Sequence, residues 1–348
     1  MNRRLSCLAA AAVAATLSSG AAVAQSASSS SSSSVSLYGL VDMSAGRFQD
    51  AGTQRTWRAE SGRMTSSFLG FKGSEDLGGT IKVKFALEHY LRADTGSAGR
   101  AAGEAFWGRN AYVGFQGDFG TSTLGRNTTP LFVSTLSFNA IGDSFGFSPS
   151  LRQVFTPSTG LAFFGDTAWN NSLLYHTSNA EGYNVSLIGN LGEGAPGATG
   201  RSVGGNWTLV TPTWGATIAL QQVKNGAVGA PAGFDRQDTW QLGGSYDFSV
   251  LKLYAQATRV KTRAALDTKS TIYGLGASVP VGAYGKVVAQ YGLATADFNP
   301  GEVKNRTLTL GYDHALSKLT DAYAIVMNDR LTNVENGTSA AVGLRVRF

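Results

Sequence analysis

Cysteine is almost absent from this sequence of 348 residues. The only one, Cys7, lies in an N-terminal segment where Arg3 and Arg4 precede a short apolar run that ends in small residues at Ala24. This order predicts an export signal over residues 1–24 that is cleaved off. A retained anchor is the alternative, but the apolar run is shorter than the ~20 residues that a spanning helix needs. The mature chain would hold no cysteine, which excludes disulfides, thiolate zinc sites and cysteine nucleophiles.

Charge is also scarce, at 15% of the residues, against about 25% in soluble proteins. The net charge of +6 becomes +4 without the two arginines of the signal, and no Lys/Arg block predicts nucleic-acid binding. Long hydrophobic runs are missing beyond the signal, which excludes a helical membrane protein. Low charge with 44 glycines is typical of a transmembrane β-barrel, whose strands alternate apolar and polar residues.

That alternation is clearest at the C-terminus, where Arg345 and Arg347 occupy one row of a nine-residue run. The other row is entirely apolar: Ala340, Val342, Leu344, Val346, Phe348. Similar runs of ~7–11 residues recur, the length of a tilted strand that crosses a bilayer. After a Ser-rich leader over 25–34, residues 35–348 predict an all-β, transmembrane antiparallel barrel. At ~20 residues per strand and connection, it would hold about 16 strands.

One segment, 127–170, interrupts the rhythm with three prolines and seven phenylalanines. It is too long and too apolar for an ordinary solvent-exposed loop, and long loops in compact folds are usually functional. We expect it to fold into the barrel as the third loop and to narrow the lumen. The alternative is an extra hairpin followed by a surface loop.

Four sequence blocks carry a resemblance to a known family. They are Val35–Asp42 (VSLYGLVD), Gly70–Gly79 (GFKGSEDLGG), Arg109–Arg126 (RNAYVGF, then G-x-FG and LGR), and Gly311–Phe348 (GYD, then LSK and the terminal Phe). The sequence resembles the Gram-negative general porins, most closely their β-proteobacterial branch. The resemblance implies a 16-stranded homotrimeric outer-membrane channel, with the third loop forming an eyelet and Phe348 acting as an assembly signal. It also implies contact with outer-membrane lipid, lipopolysaccharide and the assembly machinery, and passive diffusion of small hydrophilic solutes and ions.

In such porins, basic residues on one wall of the eyelet face acidic residues on the inward loop, which produces a transverse field. Arg109 matches a family wall arginine, and we expect alternation to place it in the lumen with Ala111 and Val113, opposite Tyr112. The other basic residues expected in the lumen are Lys72, Lys84, Arg126, Arg345 and Arg347. Asp143 and Asp166, the only acids of the inward segment, are the expected opposing charges.

The sequence departs from the family pattern at Phe68, where many relatives carry an arginine. This change predicts a more apolar constriction and weaker anion selectivity, so a substrate-specific channel is an alternative function. Two rival functions are a secreted all-β binding module and a barrel hydrolase, which requires a Ser/His pair. Only His89, His176 and His314 are present, and no serine is tied to them by a known spacing. We therefore expect neither an enzyme nor a metal or cofactor site.

Overall fold

The computed structural model describes residues 33–178, 182–190, 200–224, 230–298 and 300–348. The predicted signal (1–24) and nearly all of the Ser-rich leader lie outside these residues. The elements, in chain order, are β1 Ser34–Phe48, β2 Thr56–Ser61, β3 Phe68–Asp76, β4 Lys82–Arg92, β5 Ser97–Ala98, β6 Asn110–Gly117, β7 Gly120–Thr128, α1 Pro130–Ser137, α2 Pro149–Phe155, β8 Ala168–His176, β9 Tyr183–Asn190, β10 Val203–Val210, β11 Trp214–Lys224, β12 Arg236–Asp247, β13 Lys252–Arg263, β14 Thr268–Val281, β15 Gly285–Asp297, β16 Glu302–Ala315, β17 Thr320–Leu331 and β18 Gly337–Arg347.

These strands form one closed antiparallel barrel. Each long strand pairs with the next along the chain, and β1 pairs with β18 to close the ring. Strand β1 pairs along its other edge with β3 at its beginning and with β2 at its end. Strands β2 and β3 are thus two halves of one barrel strand, and β5 forms only a small hairpin with β4. The barrel therefore has 16 strands, as predicted.

The predicted alternation sets the two faces of the wall. In β12, Gln237, Thr239 and Gln241 point inward and are buried, whereas Trp240 and Leu242 on the other row remain exposed. A strand exposes successive side chains on opposite faces, so the wall is apolar outside and polar inside. We call these the outward and inward rows. No helix in the described ranges is long and apolar enough to cross a membrane.

The two ends of the barrel differ in the length of their connections. Both chain ends of the barrel lie at one end, together with turns such as 118–119 and 282–284. The predicted turn after β3 lies there too; Gly78 and Gly79 adopt φ of 94° and 65°, a region that favours glycine. The opposite end carries the longer connections, including 93–109 and 129–167.

Residues 129–167, which we call the inward loop, enter the lumen as predicted. Both of its helices begin with proline, and the side chains of Thr129 and Ser148 cap them by accepting hydrogen bonds from backbone N–H groups, an arrangement that favours helix starts. No extra hairpin forms, because β7 pairs directly with β8. The sequence pattern did not predict the two helices.

Candidate functional site

The first half of the inward loop is fixed to the wall by polar residues of the inward rows. Asn206 donates to Ser134 Oγ at 2.8 Å, and Gln241 donates to Thr135 Oγ1 at 2.9 Å. Gln256 donates to the backbone carbonyl of Thr135 at 2.8 Å. Buried polar groups cost free energy unless they are paired. These asparagine and glutamine side chains therefore provide hydrogen-bond partners for the buried polar groups of α1 and also fix its position.

The second half is fixed to the far wall, partly by charge. Arg152 in α2 forms ion pairs with Asp50 at 2.8 Å and Asp329 at 3.7 Å. Gln290 donates to Ser150 Oγ at 2.7 Å, and Thr309 donates to the Phe147 carbonyl at 2.8 Å. The inward loop is thus held across the lumen along both halves and leaves an opening on one side.

That opening faces a break in the wall, residues 62–67, which separates β2 from β3. Asp42, fully buried in β1, stabilises this strand break. Its Oδ2 accepts from the backbone N–H groups of Met64 at 2.7 Å and Thr65 at 3.1 Å, and its Oδ1 accepts from Tyr323 at 2.8 Å. The tip of the inward loop then meets the break, where Gly146 donates to the Arg63 carbonyl at 3.0 Å.

We call the remaining opening the passage; it is a cavity of about 840 Å³ between the inward loop, the strand break and residues 91–104. Phe145, Phe155 and Phe163 line its loop side. They form one aromatic row with Phe132, whose ring centroid is 5.8 Å from Phe145 and 5.1 Å from Phe155. The opposite side is charged, with three arginines and four carboxylates: Arg63, Arg92, Arg100, Glu60, Asp94, Glu104, Asp166.

Most of these charges form pairs. Arg63 lies 3.2 Å from Glu60, and Arg100 lies 2.5 Å from Glu104. Burial acts to raise the pKa of Glu104, but hydrogen bonds from Arg100 and its charge outweigh this effect, so the pKa lies below its ordinary value. Arg92 differs, because its side chain makes no hydrogen bond or ion pair with any described residue and its Nε is buried.

These three arginines are not among the lumen residues predicted from the sequence. Arg92 could have been found, because it continues the inward row of Lys82, Lys84 and Glu88 in β4. Arg63 and Arg100 lie outside regular strands, where alternation gives no information.

Arg109 reaches the lumen by a different route from the predicted one. Val113 is 53% exposed on the outward row, and Tyr112 lies on the inward row, so the expected face of β6 was wrong. Arg109 precedes β6, and its Nη1 lies 2.5 Å from Oε2 of inward Glu88. Its guanidinium also packs 4.2 Å from the centre of the Phe68 ring. Phe68 and Arg109, both predicted to lie in the lumen, are therefore in contact, and the charge of Arg109 is paired with Glu88.

Glu88 is the centre of that cluster and was not predicted. It is buried on the inward row and also accepts from Tyr38 Oη at 2.5 Å. Because β1, β3 and β4 are neighbours, only their register brings these side chains together.

Arg126 was predicted to face the lumen, and the structure contradicts this prediction. It lies in register with Ala111 and two residues from outward Leu124, so it belongs to the outward row, next to a register shift between Gly125 and Asn127. Its side chain donates to Asn170 Oδ1 at 2.8 Å and lies 3.6 Å from Asp166. Asp166 lines the passage, and Arg126 neutralises it from the rim.

Asp143, the second predicted acid, lies at the strand break rather than free in the passage. Thr65 donates to its Oδ1 at 2.8 Å, and Arg345 Nη1 donates to the same Thr65 hydroxyl at 3.1 Å. Arg345 is inward as predicted but pairs with Asp313 at 2.7 Å, and Arg347 pairs with Asp321 at 2.6 Å.

Lys72 and Lys84 lie on the inward rows of neighbouring strands, as predicted. Lys72 is exposed and its ammonium lies 4.5 Å from the centre of the Tyr38 ring. Lys84 lies in register with Ser74 and Gly114. Neither lysine forms an ion pair within the described ranges.

Phe348 extends the closing strand pair. Its backbone exchanges two hydrogen bonds with Gly39, at 3.0 and 3.2 Å. Its ring lies where a side chain at residue 39 would be.

One histidine does meet a serine, which the sequence did not reveal. His176 Nδ1 lies 2.8 Å from Ser186 Oγ across the β8–β9 pair. Ser186 donates to Asn184 Oδ1 at 2.9 Å, and no carboxylate orients the imidazole within the described part of the chain. His89 stacks on Phe106 outside the barrel, and His314 contacts Tyr312.

The geometry is that of a pore. Polar inward rows line a lumen, an inward loop narrows it, and charged groups face an aromatic row across the narrow part. Such an arrangement lets water and small solutes pass and acts on them by charge and size.

Comparison with known proteins agrees with this arrangement. A sequence model of the Gram-negative porin family matches residues 9–333. Outer membrane porin protein 32 of Delftia acidovorans is 35% identical over 327 residues, covering 90% of this chain and 87% of that protein. The structure of an anion-selective porin from Comamonas acidovorans has a TM-score of 0.75 at 28% identity, covering 91% of this chain and all of that one. OmpT of Vibrio cholerae, in a trimer form, has a TM-score of 0.67 at 14% identity, which supports the fold alone. The chain therefore belongs to the Gram-negative porin family and forms a passive diffusion channel in the outer membrane.

Proposed function

We propose that this channel passes small hydrophilic solutes with a mild preference for anions. The observation that carries the proposal is the imbalance of unpaired charge in the lumen. Arg109, Arg126, Arg345 and Arg347 are all neutralised by carboxylates, whereas the cations Arg92, Lys72 and Lys84 are not. Two carboxylates, Asp94 at the passage and Asp143 at the strand break, also form no ion pair with described residues, so the unpaired cations exceed the unpaired carboxylates among these residues by one. The similar structure from Comamonas acidovorans is that of an anion-selective porin, which supports the same direction.

Of the residues proposed to set this preference, Lys72 and Lys84 were also predicted from the sequence, whereas Arg92 was not. Arg92 acts at the passage, and Lys72 and Lys84 act in the lumen nearer the termini. The charges of Arg109 and Asp166 are compensated by Glu88 and Arg126. Phe68 packs on Arg109, and Asp143 accepts a hydrogen bond from Thr65 at the strand break.

The deciding experiment is single-channel conductance of the purified protein in a planar bilayer, followed by the reversal potential in a salt gradient. We expect large stepwise conductance and a reversal potential of the anion-preferring sign. A cation-preferring sign would contradict the preference, and a folded barrel without conductance would contradict an open channel.

A narrower specificity is a second candidate, because the aromatic row faces the passage. Phe155 and Phe163 meet edge-to-face at 5.0 Å, and Arg92 lines the same opening. Planar solutes with a carboxylate suit such a site, since aromatic rings pack on one another favourably. In liposome swelling, benzoate should then enter faster than cyclohexanecarboxylate, and Phe155→Leu should remove the difference. Equal rates in the unaltered channel would exclude this specificity.

We also propose a homotrimer. OmpT of Vibrio cholerae is described in a trimer form. In this chain, Ala45, Ala59, Ala324 and Gly343 line an outward groove of about 570 Å³ across β1, β2, β17 and β18. Small side chains allow close approach of two walls in a membrane. Ala324→Trp should reduce the mass measured by light scattering in detergent, and Ala255→Trp on the opposite wall should leave it unchanged.

The other expected properties remain proposals. Residues 1–24 would direct export, Phe348 would be read by the outer-membrane assembly machinery, and outer-membrane lipid and lipopolysaccharide would surround the barrel. We propose no enzymatic activity, since the imidazole of His176 lacks an orienting acid among the described residues. Ester hydrolysis that is lost in His176→Asn would contradict this point.

A further inference from the structure

The connection 93–109 crosses the rim of the barrel and contacts the end of β4 on both faces of the wall. Inside, the guanidinium of Arg100 lies 4.5 Å from the centre of the Tyr90 ring. Outside, the ring of Phe106 stacks on His89 with a centroid distance of 4.0 Å and an angle of 9° between the rings. Tyr90 and His89 are consecutive residues of one strand, so they point to opposite faces. The connection therefore holds this strand end from the lumen and from the membrane side.

The part of the connection outside the barrel, residues 105–108, is here called the outer segment. Trp107 meets the ring of Phe106 edge-to-face at 4.9 Å, and it also meets the ring of Phe71, an outward residue of β3, at 6.5 Å. The Phe106 carbonyl contacts His89 Nδ1, and His89 is only 8% exposed. The outer segment thus covers an outward histidine of the wall with aromatic rings, which pack favourably on one another.

The part of the same connection inside the barrel lines the passage. Arg100 and Glu104 both face this opening, and Arg100 Nε donates to Glu104 Oε1 at 2.9 Å. The Arg100 guanidinium also lies 5.9 Å from the centre of the Phe145 ring on the inward loop. Arg100 therefore stands between a ring of the wall, Tyr90, and a ring of the inward loop. Its position determines how much of this side of the passage is open.

The inner part and the outer segment are closely linked. Only Ala105 separates Glu104 from Phe106 along the chain. The chain then folds back tightly, because a Cβ at Gly108 would lie 2.9 Å from the Ala105 carbonyl oxygen and 3.2 Å from Glu104 Cγ. Arg126 Nε donates to the Gly108 carbonyl at 2.7 Å and fixes the return to the wall. A displacement of the outer segment would therefore also displace Glu104 and its partner Arg100.

We propose that Phe106 and Trp107, on the membrane-facing side of the wall, are positioning residues for the channel. Their ring contacts with His89 and Phe71 hold the Arg100–Glu104 pair in place at the passage. They act on a passing solute through Arg100 and not by touching it. Without the outer contacts, the connection leaves its place for part of the time and the passage changes width. The inference rests on the channel itself and is independent of the proposed anion preference.

The test is single-channel recording of Phe106→Ala in a planar bilayer. Phe106 is 59% exposed, so its truncation removes little packing from the wall and the barrel should still fold. Loss of one aromatic contact should make brief steps between conductance levels about two- to tenfold more frequent. Phe106→Tyr keeps the ring and should behave as the unaltered protein does. An unchanged frequency of steps in Phe106→Ala overturns the proposal.

A double-mutant cycle with Arg100→Gln shows whether the outer segment acts through Arg100. Arg100→Gln removes the guanidinium at the passage, so adding Phe106→Ala to it should change the recordings little further. Residues that act through one shared contact have non-additive effects, whereas independent residues have additive ones. Additive effects of the two substitutions on the frequency of steps would mean that Phe106 does not act through Arg100, which overturns the proposal.

Phe248→Ala is the matched control. Phe248 is another exposed aromatic residue on the outside of the barrel, and its ring lies 4.5 Å from that of Tyr246. It follows β12 at the end of the barrel that holds the chain termini, far from the passage. The frequency of conductance steps should stay unchanged in this variant. An equal increase in Phe248→Ala and Phe106→Ala would indicate a general loss of wall packing and overturn the specific link.

A spin label at the passage gives an independent answer that does not require conductance. Ala102 lines the passage, and the only cysteine of the sequence, Cys7, lies in the predicted signal, so Ala102→Cys offers a single site for a nitroxide. The label should be more mobile when Phe106→Ala is added and unchanged when Phe248→Ala is added. Equal mobility of the label with and without Phe106→Ala overturns the proposal.

Discussion

Charged side chains in the lumen differ mainly in whether a carboxylate already neutralises them. Arg109 lies 2.5 Å from Glu88, so its field is small a short distance away. Arg92 has no such partner among the described residues. A lone unit charge 7 Å from a passing ion contributes from about 0.6 kcal/mol in water to about 2.4 kcal/mol near a protein surface.

We therefore expect Arg92→Gln to lower the anion-to-cation permeability ratio about two- to fivefold at low salt. Arg109→Gln would leave Glu88 without its cation. Because Glu88 is buried and accepts a hydrogen bond from Tyr38, its charge acts little on passing ions. We therefore expect the permeability ratio to change less in Arg109→Gln than in Arg92→Gln. The permeability ratios of the two variants are compared by measuring their reversal potentials in the same salt gradient. A larger shift for Arg109→Gln would contradict the importance of the unpaired charge.

Glu104 predicts a response to acid. Its pKa is lowered in the folded protein, because Arg100 outweighs the effect of burial. Its contribution to the order of the connection 93–109 is fully present above the ordinary glutamate pKa of about 4.3. It is lost as the pH falls through the lower folded-state value.

Limited proteolysis of the barrel between pH 7 and roughly pH 3 can follow this change. Cleavage near residues 100–104 should increase at the acidic end, and Glu104→Gln should show the increase already at neutral pH. A pH-independent pattern in the unaltered protein would argue against this role.

Some lumen residues could be identified from sequence and others could not, for a physical reason. Lys72, Lys84, Arg345 and Arg347 lie inside regular strands, where a period of two determines the face. Arg109 precedes its strand, so counting residues gave the wrong face for Ala111 and Val113, which were expected to share its row, although Arg109 itself reaches the lumen. Arg126 adjoins a register shift, and counting gave the wrong face for it. The Glu88 cluster depends on the register of three strands, which no local pattern contains.

At the scale of elements, the strand break and the inward loop form one unit. Asp42 lies in the family-like block at the start of β1, yet its role is structural: it holds the break that meets the loop tip. Prolines and phenylalanines indicated that the loop turns inward. They did not indicate its two short helices or the break, because both are stabilised by partners far along the chain, such as Tyr323 and Gln241.

Asp42→Ala should destabilise this unit. Two backbone N–H groups and the Tyr323 hydroxyl would lose a buried acceptor, at a cost on the order of 3 kcal/mol. We expect a lower temperature for the heat-induced change in electrophoretic mobility, together with noisier conductance. Asp42→Asn keeps one carbonyl acceptor, so its transition temperature should lie between those of the unaltered protein and Asp42→Ala. An unchanged transition temperature in Asp42→Ala would disprove the role of Asp42.

For the whole molecule, the pairing of β1 with β18 is the contact that turns a sheet into a barrel. Phe348 adds its backbone bonds to Gly39 at the end of that pair. Phe348→Ser should reduce the heat-modifiable barrel in the outer membrane several-fold, and Phe348→Tyr should largely retain it. The amount of heat-modifiable barrel in membrane fractions of the two variants tests the proposed assembly signal. Folding of the same variants in vitro is the control: a defect of Phe348→Ser there as well would indicate a purely local packing effect.

Closure between the first and the last strand also has a consequence for biosynthesis. Until Gly337–Arg347 has been made and exported, Ser34–Phe48 has an unpaired edge, with neighbours only on the side of β2 and β3. An open edge invites pairing with other chains, and contacts this distant in sequence form slowly. A chain that ends before the last strand would therefore keep β1 open to pairing with other chains, because the ring cannot be completed without β18.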